Sequence, residues 1–394
     1  MAPTRERRLT ATERLWLAAD DVARDAGATP FVIETYAVGV GEPDPAAIEA
    51  ASEALVDAWP LAGARLEGTW WRSHHRRLPV RVVDAPSGWQ GESPAPDPES
   101  VHALTADRGP LVEAVVVRGP CSAWIIRAHH ALLDGRAAVE LAQDWARLAR
   151  GEPPIGPGDA RVSASPEARA RRPTTRRAPV HAALVPDAPR PTTWVRHALP
   201  RPPSDVTCTA LVALARALRA HTPTLQDARL RASLPVDLRA GQPPGQCNAT
   251  GFVRLDLAPT VRVADLRADL SAQRADAAQW LTEVRPAGCL PRWLLRRLVR
   301  AAGARVRATH RADESLTFSN LGVLEPESLS VPGLTPTVAF VAPPAQAGAP
   351  LFATLTGAGD TLHLCLGAAE HPGLHEKLVT ILRDTTAHWT QTES

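Results

Sequence analysis

Two adjacent histidines, His129 and His130, begin the one stretch of this chain whose residue types and spacing together suggest chemistry. They end an apolar run that starts at Ser122, and the pair Asp134-Gly135 follows four residues after the second histidine. An imidazole has an ordinary pKa of roughly 6.5, so it is largely neutral at physiological pH and can accept a proton as a general base. The pattern therefore predicts a base at the end of a strand.

The same spacing leaves the roles of these residues open. Adjacent residues of a strand point to opposite faces, so only one of His129 and His130 enters a given cleft, and the sequence alone does not decide which. Asp134 either orients the imidazole, as in a hydrolase triad, or stabilises the turn by pairing with an arginine. A purely structural role for both histidines is the remaining alternative.

Helix and strand signals surround this motif. Thr10 and Glu13 have the spacing of a capping box, which predicts the start of a helix, and Asp44-Pro45 supplies an N-cap and a first-turn proline for another. A strong helix pattern runs from Gly135 to Arg150. Further strands are predicted at 31–40, 64–71, 78–83, 111–117, 122–129, 193–199, 230–238, 250–257, 316–319, 336–341, 351–355 and 361–366, and further helices at 205–220, 263–281, 291–309 and 374–389.

The two halves of the chain share this mixture of helices and strands, which predicts an α/β fold with two lobes of related construction. A proline- and arginine-rich segment separates them. We therefore expect an N-terminal lobe at 1–155, a linker at 156–192 and a C-terminal lobe at 193–394. The basic part of the linker, 169–177, is interpreted as solvated rather than as a nucleic-acid site, because no aromatic residues interleave its arginines.

The composition of the chain argues against several classes of protein. The 394 residues are 44% hydrophobic and 22% charged, enough for a sizeable core, and the net charge of +2 argues against a strongly polyanionic partner. The sequence has no apolar run of about 18 residues to span a membrane and no signal peptide pattern at its N-terminus, which predicts a cytoplasmic protein. The five cysteines form no Cys-x-x-Cys pair, so we expect no disulfide framework and no metal site.

The motif from His129 to Gly135 resembles that of the superfamily that contains chloramphenicol acetyltransferase, nonribosomal peptide condensation domains, wax ester synthases and polyketide-associated acyltransferases. Other segments are similar to this family and occur in its order along the chain: Leu-Pro-Val-Asp-Leu-Arg at 234–239, Asn-Ala-Thr-Gly-Phe-Val at 248–253 and Ser-Asn-Leu-Gly at 319–322. The resemblance covers nearly the whole chain. It implies two chloramphenicol acetyltransferase-like lobes, each a mixed sheet with flanking helices, arranged as a V with a tunnel at their interface.

The resemblance also implies roles for single residues. His130 is the expected catalytic base, and His129 is expected to be structural. Asp134 is expected to form a salt bridge with Arg239 that shapes the site, and Gly135 to leave the tunnel wall free and to permit a turn closed to other residues. Two weaker candidates, Ser319 and Asn320, are expected to contact the oxyanion or the pantetheine arm.

The expected activity is that of a stand-alone acyltransferase of specialised metabolism. It would move an acyl group from a coenzyme A or carrier-protein thioester to an alcohol or amine, with no permanently bound cofactor. One alternative is an amide-forming condensation enzyme that acts on carrier-bound substrates, and another is a catalytically silent descendant that binds a carrier or ligand. The basic helix at 291–309 either attracts an acidic carrier protein or coenzyme A phosphates, or is an ordinary solvated face.

Overall fold

The protein is described by a computed structural model. It covers residues 5–28, 31–86, 88–95, 97, 104–157, 178–185, 190–202, 205–239, 248–274, 276–277, 279–344 and 351–391. Most of the expected linker, at 158–177 and 186–189, lies outside the described residues, and so does its basic part at 169–177.

The first half of the chain forms most of the helices and strands that its sequence predicts. Helix α1 begins after Thr10, whose hydroxyl and the Glu13 carboxylate complete the predicted capping box, and Asp44 caps helix α2 with Pro45 in its first turn. The elements are β1 (Glu6–Arg8), α1 (Ala11–Asp25), β2 (Val32–Gly41), α2 (Pro45–Ala58), β3 (Ala64–Glu67), β4 (Trp70–Ser73), β5 (Val80–Asp84), β6 (Val112–Arg118), β7 (Ser122–His129) and α3 (Gly135–Ala149).

The second half alternates strands and helices in the same way. Its elements are β8 (Val180–His181), β9 (Thr192–Pro200), α4 (Val206–His221), β10 (Leu230–Asp237), β11 (Thr250–Leu257), α5 (Val263–Arg274), α6 (Gln279–Val284), α7 (Arg292–Thr309), β12 (Arg311–Ala312), β13 (Leu316–Val323), β14 (Leu334–Ala342), β15 (Phe352–Ala358), β16 (Thr361–Ala369) and α8 (Leu374–Gln391). Among the described residues, no helix has the length and apolar composition needed to cross a bilayer.

Two predicted elements are divided in the structure, and the short strands β1, β8 and β12 were not predicted. The strand predicted at 64–71 is a hairpin of β3 and β4, because Gly68 adopts a φ of +61°, which glycine tolerates better than other residues. The helix predicted at 263–281 ends at Arg274, and the carbonyl of Ala277 then accepts a hydrogen bond of 3.2 Å from the backbone N–H of Phe252. A continuous helix would have used that carbonyl internally.

Each half contains a mixed sheet. The first has the strand order β14-β2-β7-β6-β5, with α2 and α3 packed on one face, and the second has the order β11-β10-β13-β15-β16-β9, with α4 and α8 on one face. Strand β13 runs parallel to both β10 and β15, whereas the other pairs of the second sheet are antiparallel. The expected fold of two α/β lobes is confirmed.

Strand β14 crosses between the lobes. It pairs antiparallel with β2 from Leu334 opposite Gly41 to Ala342 opposite Glu34, and so completes the first sheet although it comes from the second half of the chain. The boundary expected at residue 193 therefore does not separate all strands of the two sheets. We propose the division into 1–155 and 193–394 for the two lobes with β14 as an exchanged strand.

The remaining faces of the two sheets meet. Tyr36 of β2 stacks on Phe340 of β14 with ring centroids 4.8 Å apart, and Trp194 of β9 meets both rings edge-on. These side chains are buried in one cluster with Cys365 of β16. An apolar cluster thus joins the facing surfaces of the two sheets.

Candidate active site

His130 lies just beyond the end of β7, at the junction of the two lobes. Its backbone N–H donates to the carbonyl of Phe31 at 2.9 Å, and its ring stacks on the Phe31 ring with centroids 4.5 Å apart. Nδ1 lies 3.0 Å from the carbonyl oxygen of Leu133. Because a carbonyl oxygen only accepts, this contact assigns the proton to Nδ1 and leaves Nε2 with the lone pair.

Burial also sets the charge of this ring. It lowers the pKa of His130 from the ordinary value of 6.5, although the Leu133 carbonyl and the nearby Asp134 carboxylate favour the protonated form. The imidazole is therefore neutral at neutral pH, which is the state that a general base needs.

His129 points away from the cavity that His130 lines. It is fully buried, its Nδ1 accepts from the backbone N–H of Ala131 at 3.2 Å, and its Nε2 lies 3.3 Å from a carboxylate oxygen of Asp20 in α1. Burial would raise the pKa of Asp20, but the hydrogen bond from His129, the charge of Arg24 and the hydrogen bond from the Phe31 backbone N–H hold it below its usual range. His129 thus ties the end of β7 to α1.

Asp134 bridges the two lobes at the start of α3. One carboxylate oxygen, Oδ1, accepts from the backbone N–H of Ala137 at 3.0 Å and caps the helix. The other, Oδ2, accepts from Arg239 Nη2 at 2.5 Å and from the backbone N–H of Ala249 at 2.9 Å. The structure therefore brings together the two residues whose pairing the family resemblance implied, and neither carboxylate oxygen is placed to orient the His130 ring.

Gly135 is the first residue of α3 and does not have a positive φ. The expectation that it permits a turn closed to other residues is therefore wrong. The structure shows a steric constraint instead, because a Cβ atom here would lie 2.6 Å from Cδ2 of Leu321 on β13. The absence of a side chain keeps open the gap between α3 and β13.

Ser319 and Asn320 lie side by side on β13 but face different surroundings. Ser319 lines the cavity beside His130. The Asn320 side chain is exposed, donates to the Thr207 hydroxyl at 2.9 Å and accepts from the backbone N–H of Gly322 at 2.9 Å. The structure thus places Ser319 in the cavity with His130, whereas Asn320 lines an open groove outside the cavity.

His130 lines a cavity between the two sheets. Its lining is mostly apolar, with a few hydroxyl groups and one amide. The side chains come from both lobes: Trp16, Ile33, His130, Asp134, Gly135, Pro235, Asn248, Thr250, Phe252, Thr317, Ser319, Leu321, Val341, Pro344, Phe352 and Thr354. An apolar cavity with a few convergent polar groups is the usual form of a small-molecule site.

A larger open groove of about 2080 Å³ adjoins this cavity. It runs between α3, α4 and β10 and carries charged side chains such as Arg136, Asp237 and Arg274. Groove and cavity share the lining residues Asp134, Gly135, Pro235, Thr250, Ser319 and Leu321. The gap beside Gly135 and Leu321 therefore lies where the two spaces meet.

The basic helix α7 is partly neutralised. Arg292 pairs with Asp21 at 2.7 Å, and Arg300 pairs with Asp25 at 2.9 Å, so these arginines bind α7 to α1 across the lobes. Part of the positive charge noted in the sequence thus contributes to the lobe interface.

Sequence reasoning did not assign Asn248 to the site. The structure places it next to His130, where its Nδ2 donates to the His130 backbone carbonyl at 3.1 Å. The signal was its place in the segment 248–253, which resembles the family, but a single asparagine before a strand is also a common turn residue.

The comparisons with known proteins agree with the fold. No protein-family model and no curated protein matches the chain, but solved structures do. The chain is similar to the starter condensation domain of rhizomide synthetase RzmA, with 17% identity, a TM-score of 0.58, and coverage of 99% of this chain and 98% of that one. It is also similar to the epimerization domain from the third module of tyrocidine synthetase B, with 11% identity, a TM-score of 0.55, and coverage of 100% and 98%.

A double mutant of the rhizomide synthetase domain was solved in complex with C8-CoA and Leu-SNAC, and it matches with 17% identity, a TM-score of 0.58, and coverage of 99% and 95%. At these identities the likeness concerns the fold. The chain therefore has the fold of these condensation and epimerization domains.

Proposed function

We propose that the protein transfers an acyl group from a coenzyme A or phosphopantetheinyl thioester to an alcohol or amine, with His130 as the general base. The observation that carries this proposal is the hydrogen bond of 3.0 Å between His130 Nδ1 and the Leu133 carbonyl. It fixes the tautomer with Nε2 as the basic atom of a ring that lines the cavity between the lobes.

The reaction needs one proton to move twice. Nε2 of His130 takes the proton of the acceptor hydroxyl or amine as the oxygen or nitrogen attacks the thioester carbonyl carbon. The tetrahedral intermediate then collapses, the carbon–sulfur bond breaks, and the proton passes to the departing thiolate. The product is an ester or amide together with a free thiol, and the thioester itself supplies the driving force.

The surrounding residues support this chemistry in different ways. Ser319, which lines both the cavity and the groove, is our candidate for a donor to the oxyanion of the intermediate. Asp134, Gly135 and Arg239 shape the passage between cavity and groove. The thioester arm in the outer groove would then bring its carbonyl carbon past Gly135 toward His130, with the acyl chain or acceptor in the apolar cavity.

The hydrogen bond between His130 and Leu133 also favours an active enzyme over a catalytically silent binder. A catalytically silent binder has no need for a neutral imidazole held in one tautomer at the cavity wall. The direct test mixes the purified protein with a panel of acyl-coenzyme A and acyl-carrier donors and a panel of alcohols and amines, and measures released thiol. Acceptor-dependent release supports the proposal, whereas binding of a donor with no release from any pair supports the silent binder.

A further inference from the structure

Asn248 occupies the cavity wall beside the proposed base. It is only 5% exposed, and it stands at the entry to β11, where the next backbone N–H, that of Ala249, donates to Asp134. The Asp134 bridge therefore positions Asn248 from the second lobe against His130 of the first.

The amide of Asn248 can adopt only one orientation. Its nitrogen lies 3.1 Å from the His130 backbone carbonyl oxygen, which only accepts, so the NH₂ group must be on that side. The amide oxygen Oδ1 is buried and has no hydrogen-bond partner among the described residues. A buried polar atom without a partner is unfavourable and calls for a specific explanation.

We propose that Asn248 Oδ1 accepts a hydrogen bond from the acceptor substrate and thereby selects a primary amine. This inference rests on the proposed acyl transfer and assigns its acceptor class. A primary amine carries two N–H groups: one gives its proton to His130 Nε2, and the other donates to Asn248 Oδ1 and remains in the product amide. An alcohol has one O–H, which the base takes, and so leaves Oδ1 unpaired.

In this acyl transfer one bond forms, one bond breaks and one proton moves. The amine nitrogen forms a bond to the thioester carbonyl carbon, the carbon–sulfur bond breaks, and the proton removed by His130 leaves with the thiolate as a thiol. The second hydrogen stays on nitrogen throughout. A secondary amine has a single N–H and, like the alcohol, cannot both give a proton to His130 Nε2 and donate a hydrogen bond to Asn248 Oδ1.

The test uses octanoyl-coenzyme A with three acceptors on each of two skeletons, 2-phenylethyl and n-hexyl: the primary amine, the N-methyl amine and the alcohol. We expect the wild-type kcat/KM for the primary amine to exceed that for the N-methyl amine and the alcohol by about tenfold or more, since discrimination by an unpaired buried group is of at least this size.

The substitution Asn248→Leu keeps a side chain of similar size and removes the acceptor atom Oδ1. It should reduce the ratio of primary-amine to alcohol kcat/KM by about tenfold. Loss of the hydrogen bond to His130 affects every acceptor alike and cancels in this ratio. Gln226→Leu, an exposed amide on a distant turn, should leave the ratio unchanged.

If Asn248→Leu lowers kcat/KM equally for the amine and the alcohol, the inference is overturned. Asn248 would then position His130 or contact the pantetheine arm. A wild-type protein that prefers the alcohol or the N-methyl amine would overturn it without any variant, so the inference stays testable if Asn248→Leu does not fold. Absence of thiol release with every acceptor, both from octanoyl-coenzyme A and from the panel of acyl-coenzyme A and acyl-carrier donors, would instead contradict the proposed function, and the inference with it.

Discussion

Asp134 and Arg239 form a buried ion pair between the lobes, with Oδ2 of the aspartate 2.5 Å from Nη2 of the arginine. The arginine also contacts Asp237 at 3.0 Å, which in turn pairs with Arg136 at 2.7 Å. Alternating charges thus link the start of α3 to the end of β10. Asp134 lines both the cavity and the groove, and Arg239 lines the groove, so the pair lies where the two spaces meet.

Replacing Asp134 by alanine should therefore destabilise the protein by about 3 kcal/mol, because it removes the helix cap and takes from the buried Arg239 guanidinium its one buried carboxylate partner, leaving the more exposed Asp237. Asp44→Ala is the matched control, since Asp44 also caps a helix but is exposed. That control should cost about 1 kcal/mol. Urea unfolding followed by circular dichroism compares the two, and an Asp134→Ala protein as stable as Asp44→Ala would contradict the bridging role.

Gly135→Ala tests the passage itself. The new Cβ would lie 2.6 Å from Cδ2 of Leu321, so the leucine must move within the shared wall of cavity and groove. We expect kcat/KM for acyl transfer to fall by about tenfold to a hundredfold while the protein stays folded, because alanine suits a helix better than glycine.

The double variant Gly135→Ala/Leu321→Ala restores the space and should recover most of the activity. Persistence of the defect in the double variant would mean that the glycine matters for another reason.

The protonation state of His130 predicts a pH dependence. Burial lowers the pKa of His130 from the ordinary value of 6.5, and the neutral ring is the active base. Activity should therefore be constant at and above neutral pH and fall as the pH decreases through a midpoint below 6.5. The measurement is kcat/KM against pH with an alcohol acceptor, which does not itself titrate in this range. A midpoint at or above 6.5 would show that the free enzyme holds this ring in a different environment.

The sequence predicts the local structure well where a few neighbouring residues determine it. Thr10 with Glu13, and Asp44 with Pro45, mark helix starts because side-chain caps act within a few residues. The turn at His129–Gly135 and the pairing of Asp134 with Arg239 were also expected, the latter only through the family resemblance. These features depend on short spacing or on a recognisable motif.

Features that depend on distant packing were not predictable. Strand β14 alternates buried residues on both faces, Ala339 and Val341 on one and Phe340 on the other, which indicates a buried strand but not the sheet to which it belongs. The steric reason for Gly135 requires Leu321, which is far away in the sequence. Asn248 acquires a partner in His130 only when the lobes meet.

The central claim is that His130 removes the proton of the acceptor. The most direct measurement compares thiol release by the native protein and by His130→Ala, with the same donor and acceptor and with circular dichroism to verify folding. Our account predicts that the folded variant loses activity by about two to four orders of magnitude, as expected for removal of a general base. Thiol release at the native rate in folded His130→Ala would contradict it.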